Sequence, residues 1–276
     1  MYFLGIDTNS VQLKSKMDLF DFFYTLNQTP NNKDIKEICK HLVSTRSSLT
    51  DIISIFDANK GFENILRKDE SELIRYCMQQ IDGKSDTYCN YINRDETMYG
   101  HITFMVDNLL KVDENVTLFC HLGHVCSGHQ IPEAGGMVSL GYLLRQRYGD
   151  DYSCVGLATD KGRFLTSESQ SYFSIEEIKP APVGSMEWML SKMDMDECYV
   201  SMDKVSCSDI SQIRYMGNRM RDKQFVYLIP KGTMDGIIFL KYSVPIYKKE
   251  DAMKNNLNLN LSIMNQYQRA LEMIKK

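Results

Sequence analysis

The segment Asn115-Val-Thr-Leu-Phe-Cys-His-Leu-Gly-His-Val125 decides the predicted fold. Its first half is an apolar run rich in residues that favour β-structure, which predicts a strand over residues 115–121. The run ends in two imidazoles, His121 and His124, with a glycine between them. In an open α/β sheet, ligands bind where the carboxyl ends of strands run into loops, and histidine is well suited to moving protons near neutral pH. The segment therefore predicts a sheet and a candidate site at its edge.

The residues around this segment indicate alternating strands and helices. Such alternation implies parallel βαβ units, so the expected fold class is α/β, a parallel-rich sheet flanked by helices. Apolar residues at helical spacing predict a helical insertion at about residues 15–112, within a single domain that spans residues 1–276. Ser185 is the expected N-cap of a following helix, and Gly149 is expected to end an earlier one. The other predicted elements are strands at 2–6, 152–158, 198–202 and 236–242, helices at about 137–148, 186–193 and 258–276, and a turn at 159–162.

Composition and charge exclude several classes of protein. Hydrophobic residues make up 43% of the 276 residues and charged residues 25%, which is ordinary for a globular protein. A net charge of −4 and a pI near 5.8 favour neither nucleic acid nor an anionic membrane as a partner. Apolar runs such as Gly236–Leu240 are far shorter than the roughly 20 residues that span a bilayer. Residues 1–7 lack the basic region of a signal peptide, and the eight cysteines show no framework spacing, so we expect a reduced, cytoplasmic protein.

The two histidines allow three interpretations. A histidine at a strand end is commonly just a satisfied, partly buried side chain, whereas two of them flanking a glycine favour a functional site. A metal site is the third interpretation, because thiolates and imidazoles bind zinc. Its candidate ligands lie within ten residues: Cys120, His121, His124, Cys126 and His129. The spacing is poor for zinc, since neighbours on a strand point to opposite faces and no second Cys/His cluster follows.

Other common catalytic and cofactor-binding motifs are absent from the sequence. The chain contains no Gly-x-Ser-x-Gly elbow, no Gly-x-Gly-x-x-Gly fingerprint and no Walker A pattern. We therefore expect neither a nucleophilic serine nor a nucleotide cofactor.

A longer series of motifs surrounds the histidines. His-x-Gly-His-Val125 is followed by Leu140-Gly141, by Tyr148-Gly-Asp-Asp-Tyr152 and by Asp160-Lys-Gly-Arg-Phe164. Four other segments agree in order: Leu4–Asp7, Arg94-Asp95 with Met98, Val183–Glu187 and Met234–Phe239. This series resembles the erythromycin esterase family, which includes members described as succinoglycan biosynthesis proteins. The resemblance covers about residues 1–245.

The resemblance implies hydrolysis of a carboxylic ester, typified by the macrolide lactone, an activity linked to antibiotic resistance. It implies that a histidine activates water, without a metal or another cofactor. His121 and His124 match histidines that line the cleft and assist proton transfer, so they are the candidate catalytic residues. Asp7 and Arg94 match positions that border the same cleft, and they are the candidate substrate-binding residues. The implied partner is a small-molecule ester, with no nucleic acid and no membrane. A metal-dependent hydrolase that uses His121, His124 and His129 is an alternative.

The sequence departs from the family at the general base. In the family that base lies in an N-terminal Glu-Ala-x-His-Gly type of motif, and no Glu-x-x-His-Gly sequence occurs in these 276 residues. We therefore expect the C-terminal part of the fold, with weak or no hydrolase activity. A non-catalytic remnant or binding domain is the alternative. A sheet without its first strands would have an unpaired edge, which predicts either a homo-oligomer or helices folded over that edge.

Overall fold

The computed structural model describes most of the chain, with gaps. The described residues are 12–26, 33–44, 48–59, 62, 65–82, 94–111, 114–127, 138–169, 172–205, 211–215, 224–245, 248, 250–251, 265, 268–269 and 272. The chain divides into two compact units, residues 1–116 with 258–276 and residues 117–257. The predicted single domain over residues 1–276 stays a prediction, and so does self-association across a sheet edge.

The first unit is mainly helical in its described part, which confirms the helical stretch predicted at about 15–112 for the residues that are described. Its helices are α1 (Gln12–Leu26), α2 (Lys33–Val43), α3 (Leu49–Ala58), α4 (Lys68–Asp82) and α5 (Arg94–Asn108). Phe23 is fully buried, and its ring meets those of Phe56 and Phe62 at centroid distances of 6.0 Å each. Ser48 caps α3 in a reciprocal pair with Asp51, so both free backbone N–H groups gain an acceptor.

The second unit combines a mixed sheet with short helices. Its helices are α6 (Leu122–Val125), α7 (Leu140–Tyr148) and α8 (Met186–Ser191). Its strands are β1 (Val155–Ser169), β2 (Tyr172–Ile178), β3 (Glu197–Ser201), β4 (Ser211–Arg214), β5 (Phe225–Leu228) and β6 (Gly236–Ser243). The larger sheet has the order β2-β1-β6-β3, and β4 pairs with β5 in a two-stranded sheet. Helix α8 packs against β1, β4 and β6.

The α/β class is confirmed, although the described sheet has fewer parallel pairs than expected. Strands β1 and β6 pair in parallel, with Val155 opposite Gly236. The β1–β2 and β3–β6 pairs are antiparallel. Strand β2 begins soon after β1 ends, and such a short connection joins antiparallel neighbours, whereas parallel strands need a long crossover. Alternation along the sequence did not reveal this hairpin.

The turn predicted at 159–162 is wrong, because strand β1 continues through it to Ser169. Gly162 pairs with Ile178 on one side and with Ser243 on the other. Its φ is 138°, and a Cβ atom there would lie 2.6 Å from the backbone nitrogen of Ser243. A glycine is therefore required here because β1 and β6 approach each other closely at this position, and not because the chain turns.

The strand predicted at 115–121 is also wrong. Residues 114–121 form no helix or strand, and Phe119 is 94% exposed. A short apolar run does not by itself distinguish a strand from other buried or exposed segments. The strands over 198–202 and 236–242 are confirmed within a residue as β3 and β6.

The predicted helix boundaries in the second unit are largely confirmed. Ser185 caps α8, since its hydroxyl oxygen accepts a hydrogen bond from the Trp188 N–H at 3.2 Å. Gly149 ends α7 with a φ of 54°, a conformation that favours glycine. The strand predicted at 2–6 lies outside the described residues, as does most of the helix predicted at 258–276. Within the described ranges, no helix has both the length and the apolar character needed to cross a bilayer.

Candidate functional site

The two candidate histidines lie on one short loop, residues 121–127, which we call the histidine loop. His121 precedes the single turn of α6 and acts as its N-cap, because its Nδ1 accepts a hydrogen bond from the Gly123 N–H at 3.2 Å. The backbone N–H of His124 donates to the carbonyl of His121 at 2.9 Å. Both histidines are half-buried. The structure therefore places His124 within the single helical turn that His121 caps, although no strand precedes them.

Contacts from three other segments hold the histidine loop in place. The Tyr152 hydroxyl donates a hydrogen bond to the carbonyl of Val125. The Ser139 hydroxyl donates to the carbonyl of Cys126 at 2.8 Å. The Ser127 N–H donates to the carbonyl of Thr233 at 2.8 Å. Because its backbone carbonyls and amides are bound on several sides, the loop is a fixed platform rather than a free connection.

Gly141 adds a steric requirement to this platform. A Cβ atom at that position would lie 2.6 Å from the carbonyl oxygen of Cys126, and closer still to that of Val125. Helix α7 therefore packs directly on the backbone of the histidine loop. The Leu140-Gly141 motif of the sequence thus has a structural reason.

An ion pair joins helix α7 to the residues that directly precede strands β1 and β6. Arg145 Nη2 lies 2.9 Å and 2.7 Å from the two carboxylate oxygens of Asp235, and Asp235 Oδ2 accepts a hydrogen bond from the Cys154 N–H at 2.7 Å. The Arg145 guanidinium also lies 5.4 Å above the Tyr152 ring. Burial raises the pKa of the Tyr152 hydroxyl above its ordinary value, so this hydroxyl stays protonated and can donate to Val125.

Tyr215 forms an aromatic wall beside His121. The two rings meet edge to face, with centroids 4.5 Å apart and planes at 84°. A Cβ atom on Gly123 would lie 2.8 Å and 2.9 Å from Cε2 and Cζ of Tyr215. The glycine between the histidines therefore leaves room for this tyrosine ring. Sequence reasoning missed Tyr215, because a single tyrosine far along the chain carries no motif.

A buried charged cluster fixes the strand that leads to Tyr215. Glu187 is fully buried, and its Oε1 accepts a hydrogen bond from the Arg214 N–H at 2.7 Å. Its Oε2 has no hydrogen-bond partner among the described residues. Burial raises the pKa of Glu187 and lowers that of Arg214, with their mutual attraction as a smaller, opposing cause. Glu187 belongs to the Val183–Glu187 motif, so this motif helps to position the strand that carries Arg214 and leads to Tyr215.

The Arg214 side chain binds several backbone and side-chain oxygens. Its Nη2 donates to the carbonyls of Asp160 and Lys179 at 2.9 Å each, and its Nη1 donates to Gln224 Oε1 at 2.6 Å. The next residue, Tyr215, donates its backbone N–H to the carbonyl of Gln224 at 2.6 Å. The side chain of Arg214 and the backbone of Tyr215 are therefore both held by hydrogen bonds at the position from which the tyrosine ring extends.

The structure does not group the remaining candidate residues with the histidine loop, because one belongs to the first unit and two are not described. Arg94 is the first residue of α5 in the other unit and is half-buried. Asp7 and His129 lie outside the described residues. In the described part of the chain, no three His, Cys, Asp or Glu side chains form a group that would hold a metal ion.

The sequence model of the erythromycin esterase family matches residues 56–243, which include the histidine loop and the residues that hold it. The chain belongs to the erythromycin esterase family. A crystal structure of a Bacillus cereus protein matches with a TM-score of 0.59 at 15% identity, over 87% of this chain and 65% of that one. A crystal structure of a succinoglycan biosynthesis protein matches with a TM-score of 0.60 at 15% identity, over 88% of this chain and 64% of that one.

The family match and these two structures support an erythromycin-esterase-like fold. An erythromycin esterase mutant in its open conformation also matches, with a TM-score of 0.49 at 15% identity, over 87% of this chain and 68% of that one. This chain spans slightly less than two thirds of the length of the first two structures. No curated protein sequence matches it significantly.

Proposed function

We propose that this member of the erythromycin esterase family hydrolyses carboxylic esters of the lactone type through water activated by a histidine. The observation that carries the proposal is the histidine loop itself. Two half-buried histidines lie at the N-cap and within one turn of helix, and the loop that contains them is fixed by hydrogen bonds to Tyr152, Ser139 and Thr233. Catalytic groups act best when the surrounding structure holds them in position.

The proposed reaction needs one base and one hydrogen-bond donor, and His121 and His124 are the proposed catalytic pair. As water attacks the ester carbonyl, a base takes one of its protons and a C–O bond forms. The tetrahedral anion is stabilised by a donor. Its collapse breaks the ester C–O bond, and the proton passes to the departing alkoxide. The products are a carboxylic acid and an alcohol, and no metal or other cofactor is needed.

The substrate contacts are proposed from the family resemblance. Asp7 and Arg94 are the proposed substrate-binding residues, with the guanidinium of Arg94 as a donor to ester or hydroxyl oxygens. The proposed substrate is a small neutral or weakly polar ester, macrolide-like or linked to a saccharide. Neither nucleic acid nor a membrane is a proposed partner, and the protein would act in the cytoplasm.

The proposed activity is slow. General base catalysis contributes about 10²–10⁴-fold to a rate, and the sequence contains no Glu-x-x-His-Gly motif of the kind that holds the base in the family. The same observation favours a second function, a domain that binds such esters without hydrolysing them. The two functions differ in one measurable respect, turnover.

The test compares the intact chain with two histidine variants on p-nitrophenyl esters and on a macrolide. His124→Ala removes a proposed catalytic group, whereas His41→Ala is the control, because His41 lies on α2 beside Glu37 at 3.4 Å. Hydrolysis that is retained in His41→Ala and lost in His124→Ala supports the enzyme. Calorimetric macrolide binding without turnover supports the binding domain. Hydrolysis unchanged in His124→Ala contradicts the proposed role of the histidine loop, and hydrolysis abolished by a chelator would favour a metal site with His121, His124 and His129.

A further inference from the structure

We propose that the two histidines of the loop have different roles: His121 donates a hydrogen bond through Nε2, and His124 takes the proton from water. This division deepens the proposed esterase function and rests on it for the reaction. Its structural half is the statement that Nε2 of His121 carries the hydrogen, and this statement can be tested without any measured activity. Tyr215 enters the proposal as the positioning residue that keeps His121 in this state.

The hydrogen bond from Gly123 determines which nitrogen of His121 carries the hydrogen. A neutral imidazole has one donor nitrogen and one acceptor nitrogen. The Gly123 N–H donates to Nδ1 of His121 at 3.2 Å, so Nδ1 is the acceptor and Nε2 carries the hydrogen. A hydrogen on Nδ1 would instead point at the N–H of Gly123. The tautomer of a histidine is set by the bond that its other nitrogen makes.

The Tyr215 ring restrains the plane of the His121 imidazole. The ring centroids are 4.5 Å apart with an angle of 84° between the planes, a preferred geometry for an aromatic pair. The same tyrosine ring lies over Gly123, where it excludes any side chain. Tyr215 thus contacts both partners of the Nδ1 hydrogen bond, and rotation of the imidazole away from Gly123 would also break the contact between the two rings.

The buried cluster behind Tyr215 makes this wall rigid. The Glu187 carboxylate binds the backbone N–H of Arg214 at 2.7 Å, and the Tyr215 N–H binds the carbonyl of Gln224 at 2.6 Å. A positioning residue is effective when its own surroundings hold it fast. The contacts from Glu187 to Arg214, and from the adjacent Tyr215 to His121, therefore couple the Val183–Glu187 motif to the histidine loop.

The reaction follows from the position of the hydrogen. With Nδ1 occupied by Gly123 and Nε2 carrying a hydrogen, His121 has no lone pair to give to water, and it acts as a donor to the carbonyl oxygen of the ester. The negative charge that develops on this oxygen during attack strengthens the bond. The water proton goes to His124, which lies within the helical turn that His121 caps. His124 then returns that proton to the departing alkoxide.

Nitrogen NMR tests the structural half. The intact chain is labelled with ¹⁵N-histidine, and the signals of His121 among those of the five histidines are identified by their loss in His121→Gln. We expect His121 in the wild-type chain to show a protonated Nε2 and an unprotonated Nδ1. We expect Tyr215→Phe to retain this pattern and Tyr215→Leu to shift it toward a mixture of tautomers. A hydrogen on Nδ1 in the wild-type chain overturns the proposal, and an unchanged spectrum in a folded Tyr215→Leu overturns the role of Tyr215.

Two substitutions at position 121 test the catalytic half. The amide of His121→Gln places its N–H near the former Nε2, whereas that of His121→Asn places it near the former Nδ1. Loss of one oxyanion donor lowers kcat by about 10²–10³-fold. We expect that loss in His121→Asn and a kcat roughly tenfold higher in His121→Gln, with similar KM values. Equal losses in the two variants overturn the donor role. If the wild-type chain hydrolyses no ester, the proposed function fails, while the NMR result still decides which nitrogen of His121 carries the hydrogen.

Discussion

The phenol ring of Tyr215 occupies the space that a side chain at position 123 would need. A Cβ atom on Gly123 would lie 2.8 Å from Cε2 of that ring, far inside a normal carbon–carbon contact of about 3.5–4.0 Å. The glycine of the His-x-Gly-His motif and a tyrosine distant in sequence are thus parts of one arrangement. His121 completes it, with its ring edge-on to Tyr215.

Substitution of Gly123 is expected to destabilise the protein. In Gly123→Ala the new methyl group overlaps the Tyr215 ring, and such overpacking typically costs about 1–3 kcal/mol. Thermal unfolding should show a lower Tm than in the wild-type chain. The loss of stability in the double variant Gly123→Ala/Tyr215→Ala should be smaller than the sum of the losses in the two single variants, because the second substitution removes the clash.

Gly100→Ala is the matched control for this substitution. Gly100 lies within α5, and the nearest atom to its added Cβ is 4.0 Å away, the hydroxyl oxygen of Tyr76. Alanine in a helix interior is more favourable than glycine by about 0.5–1 kcal/mol, so the Tm should stay the same or rise. Equal Tm changes in Gly123→Ala and Gly100→Ala would show that Tyr215 does not press on position 123.

Removal of the Asp235 side chain is expected to lower the free energy of unfolding more than removal of its charge alone. Asp235→Asn keeps an acceptor for the Cys154 N–H and weakens the pair with Arg145, which is partly exposed; we expect a loss of about 1 kcal/mol or less. Asp235→Ala leaves the Cys154 N–H without its acceptor, which costs about 1–3 kcal/mol. Urea unfolding measures both values.

Asp196→Ala is the control for the ion pair. Asp196 lies 3.7 Å from Lys241, and its side chain is 89% exposed, so its removal should change stability by less than about 0.5 kcal/mol. We expect the largest loss of stability in Asp235→Ala, a smaller loss in Asp235→Asn and the smallest in Asp196→Ala. A loss in Asp235→Ala no greater than in Asp196→Ala would mean that the Cys154 contact stabilises nothing.

The sequence predicted those features that depend on local chemistry. Ser185 is a helix N-cap because its hydroxyl satisfies a free backbone N–H, and Gly149 ends a helix because its φ is positive. The strand over 236–242 is also confirmed. Each of these signals lies within a few residues of the feature that it predicts.

The features that the sequence did not predict depend on distant partners. The run at 115–121 has strand-like residues, yet strand formation also requires a neighbouring strand, and the described structure pairs none with it. Residues 159–162 have turn-like composition, yet pairing with Ser243 and Ile178 keeps them extended. Tyr215 and Arg214 reach the site only through tertiary contacts. The pairing of His121 and His124 was foreseen because one short motif contains both.

Substitution of Glu187 is expected to depend on whether an acceptor remains. Glu187→Gln keeps an oxygen for the Arg214 N–H and removes a buried charge, whereas Glu187→Leu leaves that N–H unsatisfied at a cost of about 1–3 kcal/mol. Burial raises the folded-state pKa of Glu187 above 4.5, so the folded state binds the proton more tightly than the unfolded state does. This contribution to stability is present below pH 4.5 and declines as pH rises through the raised pKa.

Chemical unfolding between pH 4 and pH 8 measures this dependence. The stability of the wild-type chain relative to Glu187→Gln should be greatest at the acid end and fall as pH rises. A difference that does not change with pH, or that grows toward pH 8, would show that Glu187 is stabilised as a carboxylate instead. Glu187→Leu should be less stable than Glu187→Gln at both ends of the range.

Thiol labelling is expected to distinguish Cys120, which precedes the histidine loop, from the cysteines buried in the hydrophobic cores of the two units. Cys120 is exposed, whereas Cys39 and Cys154 are buried, and burial raises the pKa of each of these two thiols to about 12. Because the thiolate is the reactive form, a disulfide reagent at pH 8 should modify Cys120 rapidly in the folded protein and spare Cys39 and Cys154. Mass spectrometry of peptides after timed labelling locates each modification.

The rapid modification of Cys120 should vanish in Cys120→Ser, and denaturant should bring Cys39 and Cys154 to a comparable rate of labelling. Labelling of Cys154 as fast as Cys120 without denaturant would mean that the hydrophobic core of the second unit, which contains Cys154, opens readily.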